Sequence, residues 1–125
     1  MIAGIGTHIV EVDRMREVIK RWGEKFLRRV FSAREITYCF SMHDPYPHLS
    51  ARFAAKEAAV KALSATDLDR RIHISDFEVG NEVSGRPYLI LHKNVKDMIG
   101  DIVLHITLSH ERNYALATVI AERLD

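Results

Sequence analysis

The stretch "ARFAAKEAAVKAL", residues 51–63, constrains this chain more than any other. Ala51, Ala54, Ala55, Ala58 and Ala62 recur at helical spacing and fall on one side of a helix predicted over 48–65. A side made of methyl groups lets a second backbone approach closely, and it gives the helix only a thin packing face of its own. The 125 residues are most simply one domain, since a domain of this size removes roughly two-thirds of its unfolded surface from water. Hydrophobic residues at 47% and charged residues at 28% fit a compact globular protein and not a disordered one.

The opening "GIGTHIVEVDR" reads as a strand over 1–11. Alternation puts Gly4, Gly6, His8 and Val10 on one face and Ala3, Ile5, Thr7 and Ile9 on the other. An imidazole beside two glycines is the oddity of this segment. Asp13 can N-cap a helix running to about residue 30, with Met15, Ile19, Trp22 and Phe26 as its packing stripe. In "FSAREITYCF", Ser32 and Glu35 make a capping-box pattern for a short helix. The two prolines of "SMHDPYPHLS" read as a loop, and His43 and His48 within it, in no metal-ligand spacing, read as solvated.

From Arg70, "RIHISDFEVG" and "RPYLIL" read as strands about the turn "GNEVSG". A short helix over 93–99 ends at Gly100, and "DIVLHITLS" and "YALATVIAE" form a hairpin across residues 110–113. The expected class is α+β with antiparallel pairing.

A single cysteine, Cys39, excludes an internal disulfide framework and a cysteine-built zinc site. No apolar run approaches the roughly 20 residues that span a bilayer, and no signal-peptide pattern opens the chain, so a cytoplasmic protein with no membrane partner is expected. The net charge of +1 does not suggest a nucleic-acid binder. The familiar nucleotide-loop, zinc-protease and serine-hydrolase motifs are missing.

Three features carry candidate chemistry. Glu57 and Lys61 lie four apart at the edge of the alanine side. They read either as an intrahelical ion pair or as a carboxylate and an ammonium serving a phosphate, one of them through Mg²⁺. Ser109, His110 and Arg112 at the last turn, and Gly85, Arg86 and Pro87 in "SGRP", can contact an anion. Arg14, Arg21, Lys25 and Arg28 form one basic row along the first helix, which is either a solvated face or a docking strip for an acidic partner.

In order and spacing these segments resemble the holo-[acyl-carrier-protein] synthase family of 4′-phosphopantetheinyl transferases, through nearly the whole chain. "GIGTHIVEVDR" is similar to the family's opening G-[IV]-G-x-D-[IV]-x-E-[IV]-x-R, and "FAAKEAAVKAL" to its [FW]-A-x-K-E-A-x-x-K-[AS] signature. "SGRPYLIL" resembles its G-x-P strand opening and "ITLSHERNYALATVIAE" its closing S-[IL]-S-H element. The resemblance implies an antiparallel sheet packed on a long alanine-rich helix, in a homotrimer with active sites between subunits. It implies transfer of phosphopantetheine from coenzyme A to a serine of apo acyl carrier protein, with release of adenosine 3′,5′-bisphosphate. Glu57 becomes a ligand to Mg²⁺, Lys61 a counter-charge to the pyrophosphate, and Arg52, Gly85, Arg86, Pro87, Ser109 and His110 the nucleotide contacts. Arg14, Arg21, Lys25 and Arg28 become the dock for the acidic carrier protein.

The family's second metal ligand is an aspartate where this chain has His8. Imidazole removes a negative charge and an oxygen donor, which predicts weaker Mg²⁺ binding. Several readings stay open. In one, the enzyme is active, His8 is a metal ligand or the general base, and Mn²⁺ or Co²⁺ outperforms Mg²⁺. In another, the chain binds coenzyme A and carrier protein but catalyses poorly. In a third, His8 is a satisfied buried histidine. An RNA- or nucleotide-binding module is a rival from another class, opposed by the near-neutral charge and the lack of an aromatic stacking motif on a strand.

Overall fold

The computed structural model describes residues 1–66, 68 and 71–124. The long helix is its axis. It runs over Pro45–Ser64, and around it stand β1 (Ile2–Glu11), α1 (Val12–Trp22), α2 (Glu24–Val30) and α3 (Ala33–Phe40) before it, so it is α4. After it come β2 (Phe77–Asn81), β3 (Pro87–Leu91), α5 (Lys93–Ile99), β4 (Ile102–His110) and β5 (Tyr114–Arg123).

Helix α4 starts three residues earlier than 48, inside the segment expected to be a loop. Asp44 caps it by accepting from the Tyr46 amide at 3.1 Å, and Pro45 sits in the first turn, where a missing N–H costs nothing. The helix is buried on nearly every side: Leu49, Ala54, Ala55, Ala58, Ala59, Ala62 and Leu63 are inaccessible to solvent.

Strands β1, β5 and β4 form an antiparallel sheet in that order, with His8 opposite Ala117 and Thr107 opposite Thr118. On β1 and β5 its inner face is cut back to Gly4, Gly6, Ala115, Ala117, Val119 and Ala121, all buried, and packs on α4, while β4 adds Ile102, Leu104, Ile106 and Leu108. A Cβ at Gly6 would fall on the Ala58 carbonyl oxygen and one at Gly4 on that of Ala62. The bare face of "GIGTH" is therefore the seat of the helix. The alanine side meets a glycine strand, and backbone lies against backbone.

The single helix expected to run to residue 30 is two helices. Gly23 adopts φ 59°, which favours glycine, and its amide closes α1 on the Ile19 carbonyl at 2.7 Å. Asp13 lies in the first turn and pairs with Arg16 at 2.8 Å; the cap position is Glu11. Met15, Ile19 and Leu27 pack in a second core with Val30, Phe31, Cys39 and Leu49, whereas Trp22 turns outward and is 58% exposed.

The capping box of α3 forms as expected, with the Glu35 amide donating to Ser32 Oγ and the Ser32 amide to Glu35 Oε1. Of the strand expected from Arg70, that residue lies outside the described set, Ile74–Asp76 is a 3₁₀ turn, and β2 begins at Phe77. Strands β2 and β3 form a separate antiparallel pair, closed where the Gly85 amide donates to the Glu82 carbonyl at 2.8 Å. Gly100 ends α5, and the last hairpin loop is the three residues 111–113. No helix among the described residues is long and apolar enough to cross a membrane.

Candidate active site

Because Gly6 lets β1 lie directly on α4, the next inward residue of the strand, His8, arrives beside the next turn of the helix. Lys61 reaches across. Its ammonium donates to the Thr7 carbonyl at 3.0 Å and meets His8 Nδ1 at 3.1 Å. An ammonium has no lone pair, so Nδ1 is the acceptor and a neutral ring carries its own proton on Nε2. Burial, and next the Lys61 charge, lower the His8 pKa below the ordinary 6.5, while Glu57 pulls it upward. Accepting from Lys61 at Nδ1, the ring is in its neutral form. Its ring stands edge-on to Phe53, with centroids 6.1 Å apart.

Glu57, one turn before Lys61 on α4, is half-buried and has no hydrogen-bond or ion-pair partner among the described residues. The intrahelical pair that the spacing allowed gives way to a bond from helix to strand. His8, Glu57 and Lys61 are thus brought together, and a groove of about 460 Å³ opens beside His8, lined by Val10, Glu11, Arg14, Phe53 and Tyr114.

The nucleotide candidates gather elsewhere. Five residues along a helix is about 140° of rotation, so Arg52 leaves α4 on a different side from Glu57. Arg52 is 3% exposed, donates to Asn81 Oδ1 at 2.5 Å and lies 4.4 Å over the Tyr38 ring. Asn81 in turn donates to the Gly85 carbonyl at 3.0 Å. These residues, with Arg34 and Tyr88, line a cleft of about 740 Å³. His110 reaches its rim indirectly: its ring is 5.1 Å from that of His48, which is 6.3 Å from that of Tyr38. His48 is therefore part of α4 and of this stack, not a solvated loop residue.

Other candidates stay apart. Arg86 is exposed on the turn, where its carbonyl accepts from the Glu82 amide at 2.8 Å, and Pro87 opens β3 opposite Asn81. Ser109 points to the opposite face of β4 from His110. Arg112 is exposed in the last hairpin loop. Arg14, Arg21, Lys25 and Arg28 are all exposed, but Gly23 divides the row between α1 and α2, and Arg28 pairs with Glu24 at 3.6 Å. Arg14 alone also borders the His8 groove.

Sequence reasoning missed Tyr38, His48 and Asn81, and gave no role to Phe53 although it opens the signature stretch "FAAKEAAVKAL". Tyr38, His48 and Asn81 lie in no spacing that signals chemistry, and each reaches its cleft only through tertiary packing.

The model of the 4′-phosphopantetheinyl transferase superfamily matches residues 4–119. A holo-[acyl-carrier-protein] synthase of Koribacter versatilis is 42% identical over 98% of this chain and 99% of its own. The chain belongs to the holo-[acyl-carrier-protein] synthase family of 4′-phosphopantetheinyl transferases. It is a transferase of that class. The synthase of Halothermothrix orenii is 40% identical over 98% of each chain. The Neisseria meningitidis synthase structure superposes with a TM-score of 0.87 at 29% identity, covering 98% of this chain and all of that one (100%). The Helicobacter pylori synthase, solved in complex with coenzyme A, superposes with a TM-score of 0.82 at 30% identity over 94% and 99%. The α+β fold is that of these synthases.

A divalent cation is the cofactor this family implies. Glu57 fits one. A single unpartnered carboxylate, with water and substrate phosphates, is a common way to hold magnesium. Among the described residues, no group of three or more His, Cys, Asp or Glu side chains could hold a metal without such help.

Proposed function

We propose that this chain moves 4′-phosphopantetheine from coenzyme A to a serine of an apo acyl carrier protein and releases adenosine 3′,5′-bisphosphate. The observation that carries the reading is the bond from Lys61 to Thr7 and His8, which fixes an ammonium beside the free carboxylate of Glu57. A bound divalent cation, held by Glu57 and by the pyrophosphate, would offset charge at the β-phosphorus. Lys61 has a third proton left for a phosphate oxygen, and His8 Nε2–H offers the site a further donor.

The serine oxygen bonds to the β-phosphorus, the bond from that phosphorus to the bridging oxygen breaks, and the bisphosphate departs. The serine proton goes to a base. His8 Nδ1 is engaged by Lys61, which favours a water hydrogen-bonded to Glu57 as its acceptor. The Arg52 cleft, with Asn81 and Gly85 in its wall and His110 at its rim, suits the nucleotide end, and Arg86, Pro87 and Ser109 remain candidates for contacts completed by another subunit. Two half-sites on different sides of α4 support an active site shared between subunits. The outer face of the β1–β5–β4 sheet supports a homotrimer, since Ile5 and Ile9 there are 61% and 60% exposed. The basic side chains of α1 and α2 suit an acidic carrier protein, with Arg14 leading from that surface to the His8 groove.

The test is release of adenosine 3′,5′-bisphosphate from coenzyme A, followed by chromatography. Release is expected with a carrier protein that has its serine and not with one whose serine is alanine. Lys61→Met is expected to lower kcat/KM by about a hundredfold, as loss of a charge-assisted contact made to the transferring group does. Release that ignores the carrier serine would contradict the reading.

A further inference from the structure

The side chains around Glu57 carry a charge balance that does not suit a free divalent cation. Glu57 contributes one negative charge and Lys61 one positive charge, held at 3.1 Å from His8 Nδ1 and at 3.0 Å from the Thr7 carbonyl. A ring that accepts from an ammonium at Nδ1 and keeps its proton on Nε2 adds no charge, so the three sum to zero. The lone pair of Nδ1 is taken by the ammonium and Nε2 carries a proton, so neither ring nitrogen is available to a metal. The Thr7 carbonyl already accepts from the same ammonium, whose charge opposes a cation there. A cation approaching Glu57 meets one carboxylate and a fixed ammonium nearby.

We infer that His8 is not a metal ligand in this chain but the acceptor that holds Lys61 beside Glu57, so that a divalent cation enters only together with the substrate's diphosphate. The diphosphate supplies what the protein lacks: the excess negative charge and the hard oxygens that magnesium and manganese prefer. It also engages the remaining proton of Lys61, so anion and cation each favour the binding of the other. The inference rests on the proposed use of coenzyme A.

The experiment titrates the protein with Mn²⁺ and follows the loss of its free-ion electron paramagnetic resonance signal, with and without coenzyme A, while calorimetry measures binding of coenzyme A itself. Wild-type protein alone is expected to take up no Mn²⁺ at submillimolar concentration, and to take up one ion per site once coenzyme A is bound. His8→Asp restores a negative oxygen donor, so it is expected to bind Mn²⁺ without coenzyme A at least about tenfold more tightly than wild type. His8→Asn, which keeps a neutral acceptor for Lys61, is expected to behave as wild type. Equal uptake of Mn²⁺ by free wild type and His8→Asp would overturn the inference, and so would bound coenzyme A that recruits no Mn²⁺. No heat with coenzyme A would instead sink the transferase reading, and the inference with it.

Discussion

Gly6 and His8 show how single residues carry this site. Gly6 is where the strand touches the helix backbone, and a Cβ there would fall on the Ala58 carbonyl oxygen. Gly6→Ala is expected to destabilise the protein by about 1–3 kcal/mol or more, read by denaturant titration, because a buried backbone has nowhere to relax. Unchanged stability would mean that the strand and helix are less closely apposed. Strand alternation alone put Gly4, Gly6 and His8 on one face, and the helix covers that face. The partner of His8 was not legible. The i, i+4 rule links Lys61 to Glu57 within the helix and says nothing of a strand that the glycines bring within reach.

At the scale of elements, the buried Glu35–Lys56 pair joins four of them. Lys56 Nζ donates to Glu35 Oε1 at 2.5 Å and to the Val30 carbonyl at 2.7 Å, while Glu35 Oε2 accepts from the Val79 amide at 2.8 Å. Both side chains are essentially inaccessible, and desolvation lowers the Lys56 pKa from its ordinary value. Lys56→Met leaves a buried carboxylate without its cation, at an expected cost of about 3–5 kcal/mol; adding Glu35→Gln is expected to recover part of it. Additive losses in the double variant would count against a coupled pair.

Helix α4 offers a second element-scale prediction through His48. Burial, then His110 and Arg52, lower its pKa, so the folded state binds its proton less readily than the unfolded chain. The associated stability is intact above pH 6.5 and is lost as pH falls through the lower folded value. A His48→Gln variant is expected to show a shallower loss of stability over that window in melts at stepped pH. The sequence named Glu35 as a capping residue but not as an ion-pair partner, because the cap is local and the pair spans 21 residues. It placed His48 in a loop because two prolines mark loops in general, although a proline in the first turn of a helix is well tolerated. It ran α1 and α2 together because the apolar stripe continues in register through Gly23.

At the scale of the whole molecule, one chain carries two separate clefts and an apolar sheet face. Ile5→Glu, which puts a charge in the middle of that face and away from the His8 groove, is expected to convert the proposed trimer into smaller species by light scattering and to reduce transfer. A monomeric wild type would contradict a shared site. The α+β class and the terminal hairpin could be read from the sequence, as could the position of Glu57 and Lys61 one turn apart on the long helix, because each follows a local period or turn. The cleft around Arg52 could not, since Tyr38, Asn81 and His110 come from three different elements.

The most direct test of the account is the intact mass of an apo acyl carrier protein incubated with this chain and coenzyme A, with Mg²⁺, with Mn²⁺ and with chelator. The account predicts the addition of one phosphopantetheine to the carrier serine in the presence of a divalent ion. An unchanged carrier mass under all three conditions, with coenzyme A bound to the protein, would contradict it.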